Sequence, residues 1–264
     1  MTPALMTRLD GGVLTLTMNR PDKRNALNPE MMQALLDALR DAAGNAAVKV
    51  LVLTGAGDAF CAGGDVGAMA SGNLFAASYE ASVDILRQKM EAPRLLHELG
   101  KPTIARVRGA AAGAGLSLAL ACDLRVADDT AQFVTAFAKV GASGDYGGSW
   151  FLARLVGVAK AKELYFTSPR VGAREALALG LVNRVVTDGE LDAAVDALAA
   201  GLAAGPSIAL NYMKRNFNAV ADGLPLAALL DLEAARMVRS MQTADHREAA
   251  RAFVEKRAPR FSGE

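Results

Sequence analysis

Residues 101–127, KPTIARVRGAAAGAGLSLALACDLRVA, restrict what this chain can fold into more than any other stretch. Pro102 opens a short β-prone run over 103–107. Gly109, Gly113 and Gly115 then thin the side chains where the chain must turn into a helix predicted over 116–122. That helix is apolar on every side, which only a buried helix tolerates. Its first turn therefore opens its unpaired N–H groups, and the positive end of its dipole, into a protein interior rather than water. Two readings are open at this point. The helix end can hold the oxygen of an acyl group or thioester, or the Gly/Ala-rich run simply lets a helix pack closely on a sheet.

An apolar fraction of 52% over 264 residues supports a packed core. The 29 basic and 28 acidic residues leave a net charge of +1, so no overall field points to nucleic acid or an anionic membrane. A small molecule or a second copy of the chain is the expected partner. Cys61 and Cys122 have no ligand-like spacing to each other or to the two histidines, and read as free thiols in a reducing compartment. No metal-ligand spacing occurs. The N-terminus has no basic region followed by an apolar run, and the helix at Leu116 is too short to span a bilayer, so a cytoplasmic protein is expected.

In chain order, residues 13–18 (VLTLTM) alternate as a strand does, and Asn19-Arg20-Pro21-Asp22 ends them as a turn. Asn28-Pro29-Glu30 is a helix start with cap, N1 proline and dipole-facing acid, followed by the stripe Met31, Leu35, Leu36, Leu39. A second strand is predicted over 49–54, and residues 55–65 (GAGDAFCAGGD) form a glycine-rich loop that fits neither the P-loop nor the dinucleotide pattern. Residues 67–99 read as helical with a break at Gly72-Asn73, and 123–127 as a strand. Strand and helix alternating in this way argue for parallel pairing with right-handed crossovers. Gln132-Phe133 is a short strand, and from Ser149 onward nearly everything reads as helical apart from the β-prone residues 181–186. A helical tail with apolar stripes calls for a partner surface, so self-association is expected.

The candidate chemistry centres on Asp145, a carboxylate in Gly144-Asp145-Tyr146-Gly147-Gly148 just before a helix. It is a catalytic group or an N-cap or turn aspartate. Asp65 has the same alternatives. Asp123 reads as the residue that ends the buried helix and satisfies backbone groups, and His97 and His246 read as surface residues. Lys23-Arg24 and Lys256-Arg257 are basic pairs able to meet a phosphate.

Taken together, Asn25-Ala26-Leu27-Asn28, residues 57–65, Lys101-Pro102 and the run 109–115 resemble the enoyl-CoA hydratase/isomerase (crotonase) superfamily, over the whole chain. The resemblance implies an α/β fold, a spiral of ββα turns over residues 1–200 with a C-terminal all-helical trimerisation region over 201–264. It implies homotrimers or hexamers and an acyl-CoA thioester as substrate, with coenzyme A belonging to the substrate and no separate cofactor. By position, it puts an oxyanion hole on the N–H groups of Gly64 and Ala114. Coenzyme A contacts fall on Lys23, Arg24, Ala26, Ala62, Asp65 and Val66, and on Phe253 and Lys256, which in some relatives reach the nucleotide from a neighbouring subunit.

The two glutamates by which hydratases of the family hold water correspond here to Ser117 and Phe137, neither of which can act as acid or base near neutral pH. Asp145 matches the lone carboxylate of the phenylacetate-pathway ring isomerases and related enoyl-CoA isomerases. Met69, Ser117 and Phe137 are then expected to line an acyl pocket, where desolvation raises the basicity of Asp145. The resemblance thus favours an isomerase that works through an enolate. A 2-enoyl-CoA hydratase using Asp145 alone is the alternative within the enzymes, and a non-catalytic acyl-CoA-binding protein the alternative outside them.

Overall fold

The computed structural model describes residues 2–65, 67 and 78–264. Val66, Met69 and the break expected at Gly72-Asn73 lie outside the described residues.

Six strands form the main sheet: β1 (Leu5–Asp10), β2 (Val13–Met18), β3 (Val50–Gly55), β4 (Thr103–Val107), β6 (Leu124–Asp128) and β9 (Arg184–Val186), adjacent in that order. All neighbours pair in parallel except β1 with β2. The sequence of β3, VLVL, explains its central place. A strand apolar at every position must be covered on both faces. Leu51 and Leu53 share one core with Leu16, Met18, Ala105 and Val107, packed with Met31, Leu35 and Leu39 of helix α1 (Pro29–Gly44). Val50 and Val52 face the other way, with Ile104 and Val126 against Leu191, Val195 and Ala199 of α8 (Leu191–Ala203).

A smaller sheet, β5 (Ala110–Ala112), β7 (Gln132–Val134) and β8 (Val171–Gly172), stands beside the first. Its construction gives the fold its repeat. β4 leads through Gly109 into β5 and then into helix α4 (Ala114–Ala121); β6 leads through Thr130 into β7. Each turn leaves one strand in each sheet. The preceding turn does the same with β3 and Cys61, which bridges Ala111 in parallel. This is the spiral of ββα turns that the residues resemble.

Several boundaries hold closely. Asn28 caps α1 by accepting from the Met31 N–H at 2.9 Å, with Pro29 at its first position. Every residue of α4 is buried, as its uniform apolarity requires. Beyond it run α5 (Gly148–Val156), α6 (Val158–Thr167) and α7 (Ala173–Ala178), then α8. Pro206 and Pro225 precede α9 (Ser207–Ala221) and α10 (Leu226–Met241), and α11 (Ala244–Val254) closes the chain. Helices α2 (Tyr79–Lys89) and α3 (Glu91–Glu98) fall before β4. Among the described residues no single helix is long and apolar enough to cross a membrane.

Three readings need correction. β1 was not anticipated: LMTRLD alternates weakly, and only its first residue is buried. Asp123 follows the cap of α4 and does satisfy a backbone group, but one of β4 rather than of the helix. Its carboxylate accepts from the Thr103 N–H at 2.8 Å and hydroxyl at 3.0 Å, and pairs at 2.8 Å with Lys214, a buried lysine of α9. Lys214 also donates to the carbonyls of Leu96 and Lys101, so this ion pair fastens the C-terminal helices to the core. His97 is not a surface residue. It is half-buried, edge-on to Trp150 and Phe151 at 5.1 and 5.5 Å, and burial lowers its pKa.

Candidate active site

Three segments from different turns of the spiral meet at the mouth of α4. The Cys61 N–H donates to Ala110 and its carbonyl accepts from Ala112, both at 2.9 Å. On the other side, the Leu27 N–H donates to Gly63 at 2.8 Å and the Ala62 N–H to Arg24 at 2.9 Å. Residues 61–64 are thus held between 24–27 and 110–114. Asn25, fully buried, braces the group by donating to the carbonyls of Ala56 and Ala59.

Glycine is required at two contacts. At Gly63, with φ +89°, a Cβ would stand 2.6 Å from the Ala112 carbonyl oxygen and 3.4 Å from the Ala114 nitrogen. At Gly115 it would stand 2.5 Å from the Cys61 carbonyl. Gly64 and Ala114, expected to supply the hole, are thereby brought onto adjacent segments. Neither N–H has a protein acceptor among the described residues. For Ala114 the reason is general, since the first N–H groups of a helix have no intrahelical partner.

Asp145 precedes α5, whose N-cap is Gly147. The capping role open to it from the sequence is not the one it takes. Its backbone carbonyl accepts from Gly148 at 3.1 Å, while its side-chain Oδ1 is buried and unpartnered among the described residues. Burial alone pushes its carboxyl up to about 6. Such a group holds its proton loosely near neutrality and can both take and return one.

Ser117 and Phe137 are both buried here, and neither offers an acid. The Ser117 hydroxyl lies 3.3 Å from the carbonyls of Gly113 and Asp145, so it links α4 to the Asp145 turn. Phe137 is 3.8 Å from where a Gly113 Cβ would be, against the same helix mouth. Its ring stacks on Tyr165, centroids 5.8 Å apart and planes at 16°. Tyr165 is a site residue that sequence reading missed, since Leu-Tyr-Phe within a helix carries no motif.

The basic and small residues expected to meet coenzyme A divide into two groups. Lys23 and Arg24 are exposed, and Ala26, Ala62 and Asp65 lie beside them, with Arg20 pairing Asp65 at 3.2 Å. Phe253, 85% exposed, and Lys256 lie at the end of α11, and among the described residues neither makes a hydrogen bond or ion pair to that cluster. Cys61 packs beneath the helix mouth; burial raises its thiol to about 12, leaving it inert. A cleft of about 670 Å³ lies over β1, β2 and α8, lined by Thr7, Arg8, Thr15 and Thr17 and by none of these groups.

Residues 8–264 match the enoyl-CoA hydratase/isomerase family model. The chain is 41% identical to a Rhodobacter capsulatus protein named "probable enoyl-CoA hydratase", over 96% of this chain and 95% of that one. It is 36% identical to the 1,2-epoxyphenylacetyl-CoA isomerase of Escherichia coli over the full length of both. Among solved structures, an enoyl-CoA hydratase from Polaromonas sp. JS666 superposes with a TM-score of 0.91 at 36% identity, covering 98% of this chain and 99% of that one.

Proposed function

This chain belongs to the enoyl-CoA hydratase/isomerase family, and from that premise we propose that it is an enoyl-CoA isomerase in which Asp145 is the single acid/base. The observation that carries the reading is the carboxyl of Asp145, raised to about 6 with an oxygen unpartnered among the described residues, in a site where Ser117 and Phe137 offer no second acid.

With a 3-enoyl thioester, ionised Asp145 takes a proton from carbon 2. The electron pair moves into the thioester carbonyl, giving an enolate whose oxygen faces the N–H groups of Gly64 and Ala114 at the positive end of α4. Donors held in place before the charge develops contribute about 3 kcal/mol each in comparable sites. The protonated Asp145 then returns the proton to carbon 4, and the double bond ends between carbons 2 and 3. No water is added or lost. Alanine at the second hole position still offers its N–H.

The same proposal places Lys23, Arg24 and Ala26 near the phosphates and ribose of coenzyme A, Ala62, Asp65 and Val66 around its adenine, and Met69 in the acyl pocket. It takes Phe253 and Lys256 as contributions from a neighbouring subunit of a trimer or hexamer. Met237, Val238, Met241, Phe253 and Val254, all exposed on α10 and α11 of the single chain, support self-association. Light scattering on the purified protein should give a multiple of three chains.

The deciding experiment follows 3-enoyl-CoA and 2-enoyl-CoA in parallel by absorbance and product mass. Conversion of the 3-enoyl compound at unchanged mass, lost by about 10²-fold or more in Asp145→Asn, supports the proposal. Addition of water to the 2-enoyl compound at about 1 s⁻¹ or faster makes the chain a hydratase. Binding without proton exchange into the acyl group makes it a non-catalytic acyl-CoA-binding protein.

A further inference from the structure

Tyr165 of α6 has no place in the motifs that mark the family, yet it reaches the turn that carries Asp145. A Cβ on Gly148 would stand 2.5 Å from the Tyr165 hydroxyl oxygen and 2.4 Å from Ser117 Oγ. One on Gly144 would stand 2.8 Å from Tyr165 Cε1 and 3.7 Å from Phe137 Cδ2. The phenol therefore occupies the room that two glycines leave along the inner side of residues 144–148. With Phe137 stacked on its other side, it closes the gap between that turn and the mouth of α4.

Its hydroxyl has no hydrogen-bond partner among the described residues. What it lends the turn is bulk rather than a bond. Asp145 is faced by Tyr165 from α6, by Ser117 from α4 and by Tyr146 on its own loop, and no cation shifts its ionisation. Burial is the sole cause of its altered carboxyl. A carboxyl held in this way by exclusion of water depends on whatever excludes the water.

We propose that Tyr165 is the positioning residue of the acid/base: its ring fills the inner side of the 144–148 turn, sets Asp145 against the mouth of α4 and keeps water from its carboxyl. Ser117 holds the backbone of the turn, and Tyr165 holds its interior. The proposal rests on Asp145 being the acid/base only for its consequence in catalysis. Its effect on the carboxyl itself is independent of any reaction.

The test uses Tyr165→Phe and Tyr165→Ala in the full chain, read in two ways. The first is titration of the Asp145 carboxyl by ¹³C NMR, assigned by loss of the signal in Asp145→Asn. The second is the pH profile of turnover. In Tyr165→Phe, which keeps the ring, both midpoints should stay near pH 6. In Tyr165→Ala water enters, and both should fall toward pH 4, with kcat reduced at least tenfold and KM changed less than threefold. If Tyr165→Ala does not fold, Tyr165→Val, which also removes the ring and hydroxyl but keeps a branched apolar side chain, is read the same way. An unchanged NMR midpoint in the folded small variant overturns the proposal. A midpoint that moves by NMR in a protein with no isomerase activity leaves Tyr165 as the shield of Asp145 and removes the isomerase reading instead.

Discussion

The hydroxyl of Ser117 lies 3.3 Å from the carbonyl oxygen of Asp145, so Ser117, expected from the resemblance to stand at a hydratase glutamate position, ties down the turn that carries Asp145. Restoring a glutamate there should not restore hydration. A Cβ on Gly148 would already be 2.4 Å from Ser117 Oγ, and a longer acidic side chain has no room. Ser117→Glu is expected to lower the melting temperature by several degrees and add no water to 2-enoyl-CoA, checked by calorimetry and product mass. A stable Ser117→Glu protein with hydratase turnover would show that the turn yields.

Turnover should follow the ionisation of Asp145. As a base it must be deprotonated, so kcat/KM should rise with pH through about 6 and level off above it. A profile flat from pH 5 to 8 would exclude Asp145 as the titrating group.

The same carboxyl weighs against folding. Because its native pKa is raised, the folded state binds the proton more tightly than the unfolded one between about pH 4 and 6, and stability falls as pH rises through that window. At pH 7 Asp145→Asn should therefore be more stable than the parent, by about 1 to 2 kcal/mol once partial solvation is allowed for. The gain should vanish below pH 4. Urea unfolding at the two pH values measures both.

Gly63→Ala should be costly out of proportion to one methyl group. The residue has φ +89° and its Cβ would meet the Ala112 carbonyl at 2.6 Å, so either the loop or β5 must move. A loss of more than about 2 kcal/mol is expected in urea unfolding. Activity should fall too, because the same contact sets Gly64 against Ala114.

Cys61 and Cys122 are both buried, and burial raises each thiol to about 12. Neither should react with a disulfide reagent at pH 8 until the protein is unfolded, when two thiols per chain should appear.

Much of this fold was legible because its elements announce themselves locally. The alternation in VLTLTM, the cap at Asn28-Pro29 and the all-apolar helix after Gly113 each became the element they implied. The ion pair of Asp123 went unread for the opposite reason. Its partner Lys214 lies 91 positions away in sequence, and a long-range ion pair leaves no local pattern. The carboxylate at Asp145 was visible through its glycine loop, whereas Tyr165 was not. Its importance comes from what it touches, and the contacts that reveal it are made by glycines whose missing side chains give no sign of what occupies the space.

The two N–H groups at the helix mouth are contributed by successive coils of the spiral, Gly64 by the coil of β3 and Ala114 by the coil of β4, joined through Cys61 and Ala111. Asp145 hangs from a separate loop, tied on through the Ser117 hydroxyl. Under the proposed reading, a chain of this design can exchange its reactive side chain by altering that loop while the gap between the two N–H groups, being a property of how the coils stack, is inherited unchanged.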